Sequence, residues 1–251
     1  QMELDVPIYT YLADFRGEEK DQITVRDLLT HRSGLQQWQP IYYHASNAQE
    51  SYRFIRDLPL EWHVGEEYHY SDLGFMLLGM IVEKITGEQL DQFLNDHLYS
   101  QLGLMSIGFR PKQILDGKDS VSKFAATSHG NPYEHRMVHD TEFGYTYTGN
   151  PDQWDDWRFY TLLGEVNDGN SHHAFSGVAG HAGLFSNAFS LKTLLNLLIH
   201  RGVHDGKRYL KNETVELFWN SHEKPLGWQK SENPGGVIFS HSGFTGTFVA
   251  G

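Results

Sequence analysis

Apolar and polar positions fall in distinct blocks along this chain, and the longest apolar block runs from Leu73 to Ile85. Within it Leu73, Phe75, Met76, Leu77, Leu78, Met80, Ile81 and Val82 leave almost no polar face. That pattern predicts a helix over 72–86 that is buried on nearly all sides. Asp72 stands where an N-cap belongs and Gly87 where a helix stops. Tyr70-Ser71-Asp72 sits at the mouth of this block, after a polar and aromatic approach over 59–69 punctuated by Pro59 and Gly65. A Tyr hydroxyl held at the end of a rigid, buried helix has the support that a catalytic group needs. The same three residues also read as a plain helix entry with a capping Asp and a packed Tyr.

Other blocks follow the helical period. Leu90, Phe93, Leu94, Leu98 and Leu102 recur every three to four residues and predict a helix ended by Gly103. Upstream, Thr24 and Asp27 have capping-box spacing ahead of Leu28 and Leu29, with Gly34 as the expected stop. The aromatic-rich segment 36–58 is expected to be helical from Asn47 to Leu58. Ser190 is expected to cap a helix carrying Leu191, Leu194, Leu195, Leu197 and Leu198, stopped at Gly202, and Asn212 to cap another.

Between 105 and 165 periodicity fades, and Gly and Pro recur among many aromatic residues. A long ordered excursion over the surface is expected there, and segments of this length in a compact domain are usually functional. Tyr133, Tyr145, Tyr147, Trp154 and Trp157 are expected to line a cleft. Farther on, the glycines around His181, at 177, 180 and 183, imply close backbone approach and positive φ. The tail turns strand-like at Leu226-Gly227-Trp228 and again from Val237 to Val249. Helices first and strands last predict an α+β fold.

Composition narrows the function classes. The 251 residues are 39% hydrophobic and 14% aromatic, so a packed core is expected. The formal net charge is −12 and no basic stripe exists to neutralise phosphates, which argues against a nucleic-acid or anionic-membrane surface. Fifteen His make the charge strongly pH-dependent between about pH 7 and pH 5. The absence of Cys excludes disulfides, thiolate metal sites and Cys nucleophiles. No stretch reaches the roughly 18 apolar residues of a membrane span, and no signal-peptide pattern is present. Both ends fall in mid-pattern, at Gln1-Met2-Glu3 and Val249-Ala250-Gly251, so a piece of a longer protein is expected. Asp168, His172, His173 and His181, with His129, His135 and His139, raise the question of a metal. No His-Glu-x-x-His helix is present, and adjacent His172 and His173 would point apart on regular structure. Neither a metal nor a cofactor is expected.

Four stretches in order carry a more specific signal. They are Ile23-Thr24-Val25-Arg26-Asp27-Leu28-Leu29-Thr30-His31-Arg32-Ser33-Gly34-Leu35, Tyr70-Ser71-Asp72, Gly180-His181-Ala182-Gly183-Leu184-Phe185-Ser186 and His241-Ser242-Gly243. Together they resemble the serine β-lactamase-like hydrolases, a family that includes class C β-lactamases, D-alanyl-D-alanine carboxypeptidases and related esterases. The resemblance covers nearly the whole chain. It implies an α+β β-lactamase/transpeptidase-like fold, with an antiparallel sheet flanked by helices and a helical subdomain. It divides the single, incomplete domain 1–251 into a mostly helical part over 8–160 and part of the sheet subdomain over 161–251.

The resemblance also implies acyl transfer, in which a Ser attacks a carbonyl and water releases the acyl-enzyme. The family's Ser-x-x-Lys precedes a lead-in like Leu4-Asp5-Val6-Pro7, so nucleophile and Lys are expected upstream of Gln1. Ser120-Val121-Ser122-Lys123 has the spacing but follows the Tyr motif in an irregular polar stretch, and is set aside. Tyr70 would shuttle the nucleophile's proton, with a phenol pKa lowered by nearby cations. Asp72 replaces the more usual Asn and is either a catalytic contact or the helix cap. His241 replaces a Lys that would hold a substrate carboxylate. With Ser242 and Gly243 it would line the substrate strand, where a backbone N–H completes an oxyanion hole; otherwise it is a strand His. His181 is either a substrate contact or a buried structural His. The implied substrates are small esters, D-Ala peptides or β-lactams. A true β-lactamase and a non-catalytic binding module are the alternatives to an esterase or carboxypeptidase. A periplasmic or secreted location is expected from the family.

Overall fold

The computed structural model describes residues 2–111, 124–143, 147, 149–220, 224–241, 243, 244, 249 and 250. Its centre is the helix α3, Asp72–Thr86, with the bounds that the apolar block predicts. Leu73, Leu77 and Ile81 are fully buried and Met76 nearly so. Each such side chain contributes roughly 1.5–3 kcal/mol by leaving water. Gly87 ends the helix in the left-handed conformation, φ 75°, and its amide closes on the Glu83 carbonyl.

Helix α1, Val25–Leu29, starts on the reciprocal capping box of Thr24 and Asp27. It packs its Val25 and Leu28 against α3 in the main core, together with Ile8, Phe15, Ile23, Leu35, Ile55 and Phe175. Helix α2, Ala48–Asp57, is capped by Asn47, whose side chain accepts from the Glu50 amide. Helix α4, Leu90–Leu94, runs on through a π turn at Asn95–Tyr99 and a 3-10 turn at Ser100–Leu102 to Gly103, φ 69°. The predicted stop holds, and the helical period loosens only in its last two turns.

Among the described residues the further α-helices are α5, Pro132–His139, α6, Ala188–Ile199, and α7, Asn212–Trp219. Among the described residues the strands pair two by two, all antiparallel. These are β1 Gly108–Phe109 with β4 Leu184–Phe185, and β2 Ala126–His129 with β3 Thr161–Leu163. Then come β5 Val203–His204 with β6 Lys207–Arg208, and β7 Gln229–Asn233 with β8 Gly236–Ser240. Last, β9 Gly243–Phe244 pairs with β10 Val249–Ala250. The fold is α+β.

Several local expectations are corrected. The cap of α6 is Asn187, whose side chain accepts from the Ser190 amide; Ser190 is already inside the helix and buried. Lys211 precedes α7 without a side-chain cap, and Asn212 is its first residue. Gly34 does not end α1, which closes at Thr30. Gly34 instead lies against the backbone of Trp62, where any Cβ would overlap the Trp62 carbonyl oxygen, and its own carbonyl accepts from the Glu61 and Trp62 amides. Three of the aromatics expected to line a cleft over 105–165 pack into a core instead. Tyr133, Tyr147 and Trp157 close around Trp38, Met137 and Val138 as a separate small core, with Tyr43 at its side. Tyr145 lies outside the described residues.

Candidate active site

The turn before α3 is built around His31. Its backbone is left-handed, φ 56°, which turns the side chain back beneath residues 68–71. Three contacts hold that turn from both sides of Tyr70. The His69 amide donates to the His31 carbonyl at 2.8 Å, the Ser71 amide donates to His31 Nδ1 at 3.0 Å, and the imidazole lies 4.5 Å from the Tyr70 ring. Phe75, one turn into α3, stacks on the same imidazole at 5.0 Å. Burial, reinforced by His241, pushes His31 down to about 4, so the ring is neutral and Nδ1 is free to accept. Tyr70 is left 44% exposed at the mouth of the turn.

Ser71, not Asp72, caps α3. Its hydroxyl accepts from the Gly74 amide at 3.3 Å and donates to the Gln36 carbonyl at 2.7 Å. Asp72 is the first helical residue, and its amide donates to the Gln37 carbonyl at 3.0 Å. Burial pushes the Asp72 carboxyl up to about 6, against the pull of the nearby His181. Burial and the neighbouring Asp72 both raise the Tyr70 phenol above its ordinary value.

Behind Asp72 lies a buried polar cluster. His181 is 2% exposed, and its Nε2 pairs with Asp168 Oδ1 at 2.9 Å. The same oxygen accepts from the Ser171 amide at 2.6 Å. Burial opposes both charges, but each partner outweighs it for the other: His181 is raised and Asp168 lowered. Glu134 on α5 is buried beside them; burial and then Asp168 push its carboxyl up, while its Oε1 accepts from the Gly169 amide at 2.8 Å. Arg158, also buried, closes the back of the turn, donating to the Val166 carbonyl at 2.6 Å and to Asn131 Oδ1 at 2.9 Å.

His181 reaches this place because its loop has no side chain between it and α3. A Cβ on Gly180 would overlap the Phe75 carbonyl, and one on Gly79 would crowd the Gly180 backbone. The two glycines face each other, and the loop lies on the first turns of the helix.

Of the residues singled out from sequence, Tyr70, Asp72 and His181 are therefore brought together. His241 is exposed at the end of β8, near enough to His31 to oppose its protonation. Gly243 starts β9 with open space where a Cβ would point. Ser242 lies outside the described residues, as does all of Ser120–Lys123. Ser221-His222-Glu223-Lys224 has the same spacing, and sequence reading passed over it. It too follows the Tyr motif, and the Lys224 amine sits 4.9 Å over the Tyr68 ring. His172 and His173 do not point apart. They occupy a π turn, Asn170–Ala174, and their rings meet edge to face at 4.6 Å. His31, Asp168, Glu134 and Arg158 were not assigned to the site from sequence. The first lies within the Thr-His-Arg-Ser-Gly element already noted, but nothing in its spacing announces a left-handed His.

Solved structures share this architecture. A penicillin-binding protein homologue from Pyrococcus abyssi aligns at a TM-score of 0.65 and 20% identity, over 99% of this chain and 52% of that one. A D-amino acid amidase from Ochrobactrum anthropi aligns at a TM-score of 0.64 and 19% identity, over 97% of this chain and 65% of that one. The fold is thus of the β-lactamase and penicillin-binding type. The profile of the Beta-lactamase family matches residues 1–251, and the chain belongs to that family. Among curated relatives, an N-acetylmuramyl-L-alanine amidase of Bacillus subtilis is 31% identical across 98% of this chain. A putative D-alanyl-D-alanine carboxypeptidase of Escherichia coli is 30% identical across 91%. Both names are those of hydrolases. The chain spans 59% and 54% of the length of these two relatives.

Proposed function

We propose that this protein is a serine hydrolase that cleaves small amide or ester bonds through an acyl-enzyme, with Tyr70 moving the proton of a Ser-x-x-Lys nucleophile of the family's kind. The observation that carries this reading is the Tyr70 hydroxyl. It stands half exposed at the start of a rigid helix and is fixed on both flanks by His31. A proton shuttle must be held in place and be open to the reacting atoms, and the fixed, half-exposed Tyr70 supports that role. Gly243, with open space above it, supports a substrate lying along β9, and His181 belongs to the support of Asp72 rather than to the substrate surface.

Amide-bond relatives favour amides and D-amino acid derivatives as substrates over β-lactams. Asp72 argues the same way, since an ionised carboxylate cannot donate to a β-lactam amide as Asn does. A substrate derived from peptidoglycan would place the protein outside the cytoplasmic membrane. Among the described residues no helix is long and apolar enough to cross a membrane.

The test is hydrolysis of D-alanine p-nitroanilide and of a p-nitrophenyl ester by the full-length protein. Turnover that falls by about 10²–10⁴ in Tyr70→Phe, with the fold intact by circular dichroism, supports the reading. Full-length protein without turnover of either substrate leaves it a binding module. Fast opening of a chromogenic cephalosporin, with slow amide turnover, would make it a β-lactamase.

A further inference from the structure

The residues that follow Tyr70 are tied to a strap of chain, residues 36–41. The Gln36 carbonyl accepts from the Ser71 hydroxyl at 2.7 Å, and the Gln37 carbonyl accepts from the Asp72 amide at 3.0 Å. Tyr70 therefore stands only as firmly as the strap does. Over 36–40 the strap is neither helix nor strand, so no ladder of its own stiffens it.

Asn170 supplies the missing anchor. It is fully buried. Its Oδ1 accepts from the Ile41 amide at 2.8 Å, and its Nδ2 donates to the Gln39 carbonyl at 2.9 Å. Pro40 lies between them at φ −75° and ψ 76°, an inverse γ-turn in which the Ile41 amide also donates to the Gln39 carbonyl at 2.8 Å. Pro has no N–H to offer. One side-chain amide, with its donor and acceptor in a single plane, thus takes up the polar groups on either side of the ring.

Asn170 is itself carried by a tightly held turn, residues 166–171. Arg158 donates to the Val166 and Asn167 carbonyls at 2.6 and 2.5 Å, and Glu134 accepts from the Gly169 amide at 2.8 Å. A Cβ on Gly169 would overlap Glu134 Oε2 and crowd the Tyr42 ring, so the turn lies directly against both. In the same turn Asp168 accepts from the Ser171 amide at 2.6 Å and pairs with His181 at 2.9 Å. The turn reaches α3 by two routes, through Asp168 to the His181 loop and through Asn170 to the strap.

We propose that Asn170 is a positioning residue for Tyr70. Its two bonds across Pro40 set the strap where Gln36 and Gln37 hold Ser71 and Asp72, and this fixes where the Tyr70 hydroxyl stands. The inference rests on the hydrolase reading above. Asn170 acts through the main chain of 39–41, not by meeting the reacting atoms. Gly243, along which the substrate is proposed to lie, is on β9 and belongs to neither the strap nor the turn. Loss of the clamp therefore falls on the chemical step rather than on binding. A misplacement of about 1 Å at such a site costs on the order of 10²-fold in rate.

The test measures kcat and KM of full-length Asn170→Ala on D-alanine p-nitroanilide, with the fold followed by circular dichroism and urea midpoints. We expect kcat to fall by about 10–10²-fold with KM within about threefold of wild type. Leu197→Ala separates position from stability. Leu197 is buried in a different core, with Tyr99, Leu102, Leu104 and Ile107. Its truncation should lower the urea midpoint and leave kcat at the wild-type value. Amide hydrogen exchange of the wild type, read by NMR, needs no variant. The Ile41 and Asp72 amides should open together, with protection of the same order. A folded Asn170→Ala with wild-type kcat, or with a loss confined to KM, overturns the clamp while the hydrolase reading stands. An equal fall of kcat in Leu197→Ala does the same. An Asp72 amide that exchanges far faster than that of Ile41 overturns the clamp whether or not Asn170→Ala folds. Wild type without turnover sinks both.

Discussion

At the scale of single residues, the site depends on a histidine that is kept neutral. His31 titrates at about 4 in the fold against 6.5 in an unfolded chain. The unfolded state therefore takes up the proton first on acidification. His31 contributes stability that is complete above about 6.5 and is lost as pH falls toward 4, on the order of 2 kcal/mol. His31→Asn tolerates the left-handed backbone but lacks the ring. It should flatten the fall of stability between those two values, as read by urea midpoints at each pH, and lower kcat because Tyr70 loses its stacking partner. A slope equal to the wild type's would mean that His31 does not carry the acid sensitivity. The place of Tyr70 before a buried helix was legible in the sequence, and the role proposed for it comes from the resemblance. The roles of Ser71 and Asp72 were not legible. Both are accepted caps by residue type, and the choice between them depends on which side chain the helix start faces, a fact of three-dimensional placement.

At the scale of elements, the helices were read well where the apolar period is long, as in α3, and where a capping box is complete, as at Thr24. Starts were misplaced by one to three residues at α6 and α7, because Asn187, Ser190 and Asn212 are equally good caps by type. The glycines around His181 did signal close approach, but not what they approach. Gly180→Ala tests that contact. The added methyl meets the Phe75 carbonyl, and backbone cannot yield as a flexible side chain does. We expect a loss of about 2 kcal/mol in urea unfolding at an unchanged slope, with reduced kcat as His181 moves away from Asp72. Ala at Gly87, where nothing lies within contact distance, should cost only the strain of its left-handed backbone and leave kcat unchanged.

At the scale of the whole molecule, charge and the α+β class were legible, and the order of elements and distant pairing were not. The sequence suggests helices first and strands last, but β1 to β6 all come before α7, and the pairing of Gly108 with Phe185 joins residues far apart in sequence with no local cue. The net charge of −12 has a consequence at the site, whose buried groups include three carboxyls, Asp72, Asp168 and Glu134. A substrate bearing a free carboxylate approaches against that field. Raising salt from about 20 to about 200 mM should therefore increase kcat/KM for an N-acetylated D-alanyl-D-alanine peptide and leave the neutral N-acetyl-D-alanine amide unaffected. Equal salt dependence for the two substrates would contradict this. The facing pair of Gly79 and Gly180 bears on how such a protein can change over time. Their spacing is set by main-chain atoms alone, so the distance from α3 to the His181 loop does not depend on the volumes of surrounding side chains. Leu and Met can be exchanged in the core beneath, and residues around the mouth can vary with substrate, without moving Asp72 relative to its charged support. The contact acts as a fixed gauge, and the sequence around it is free to drift.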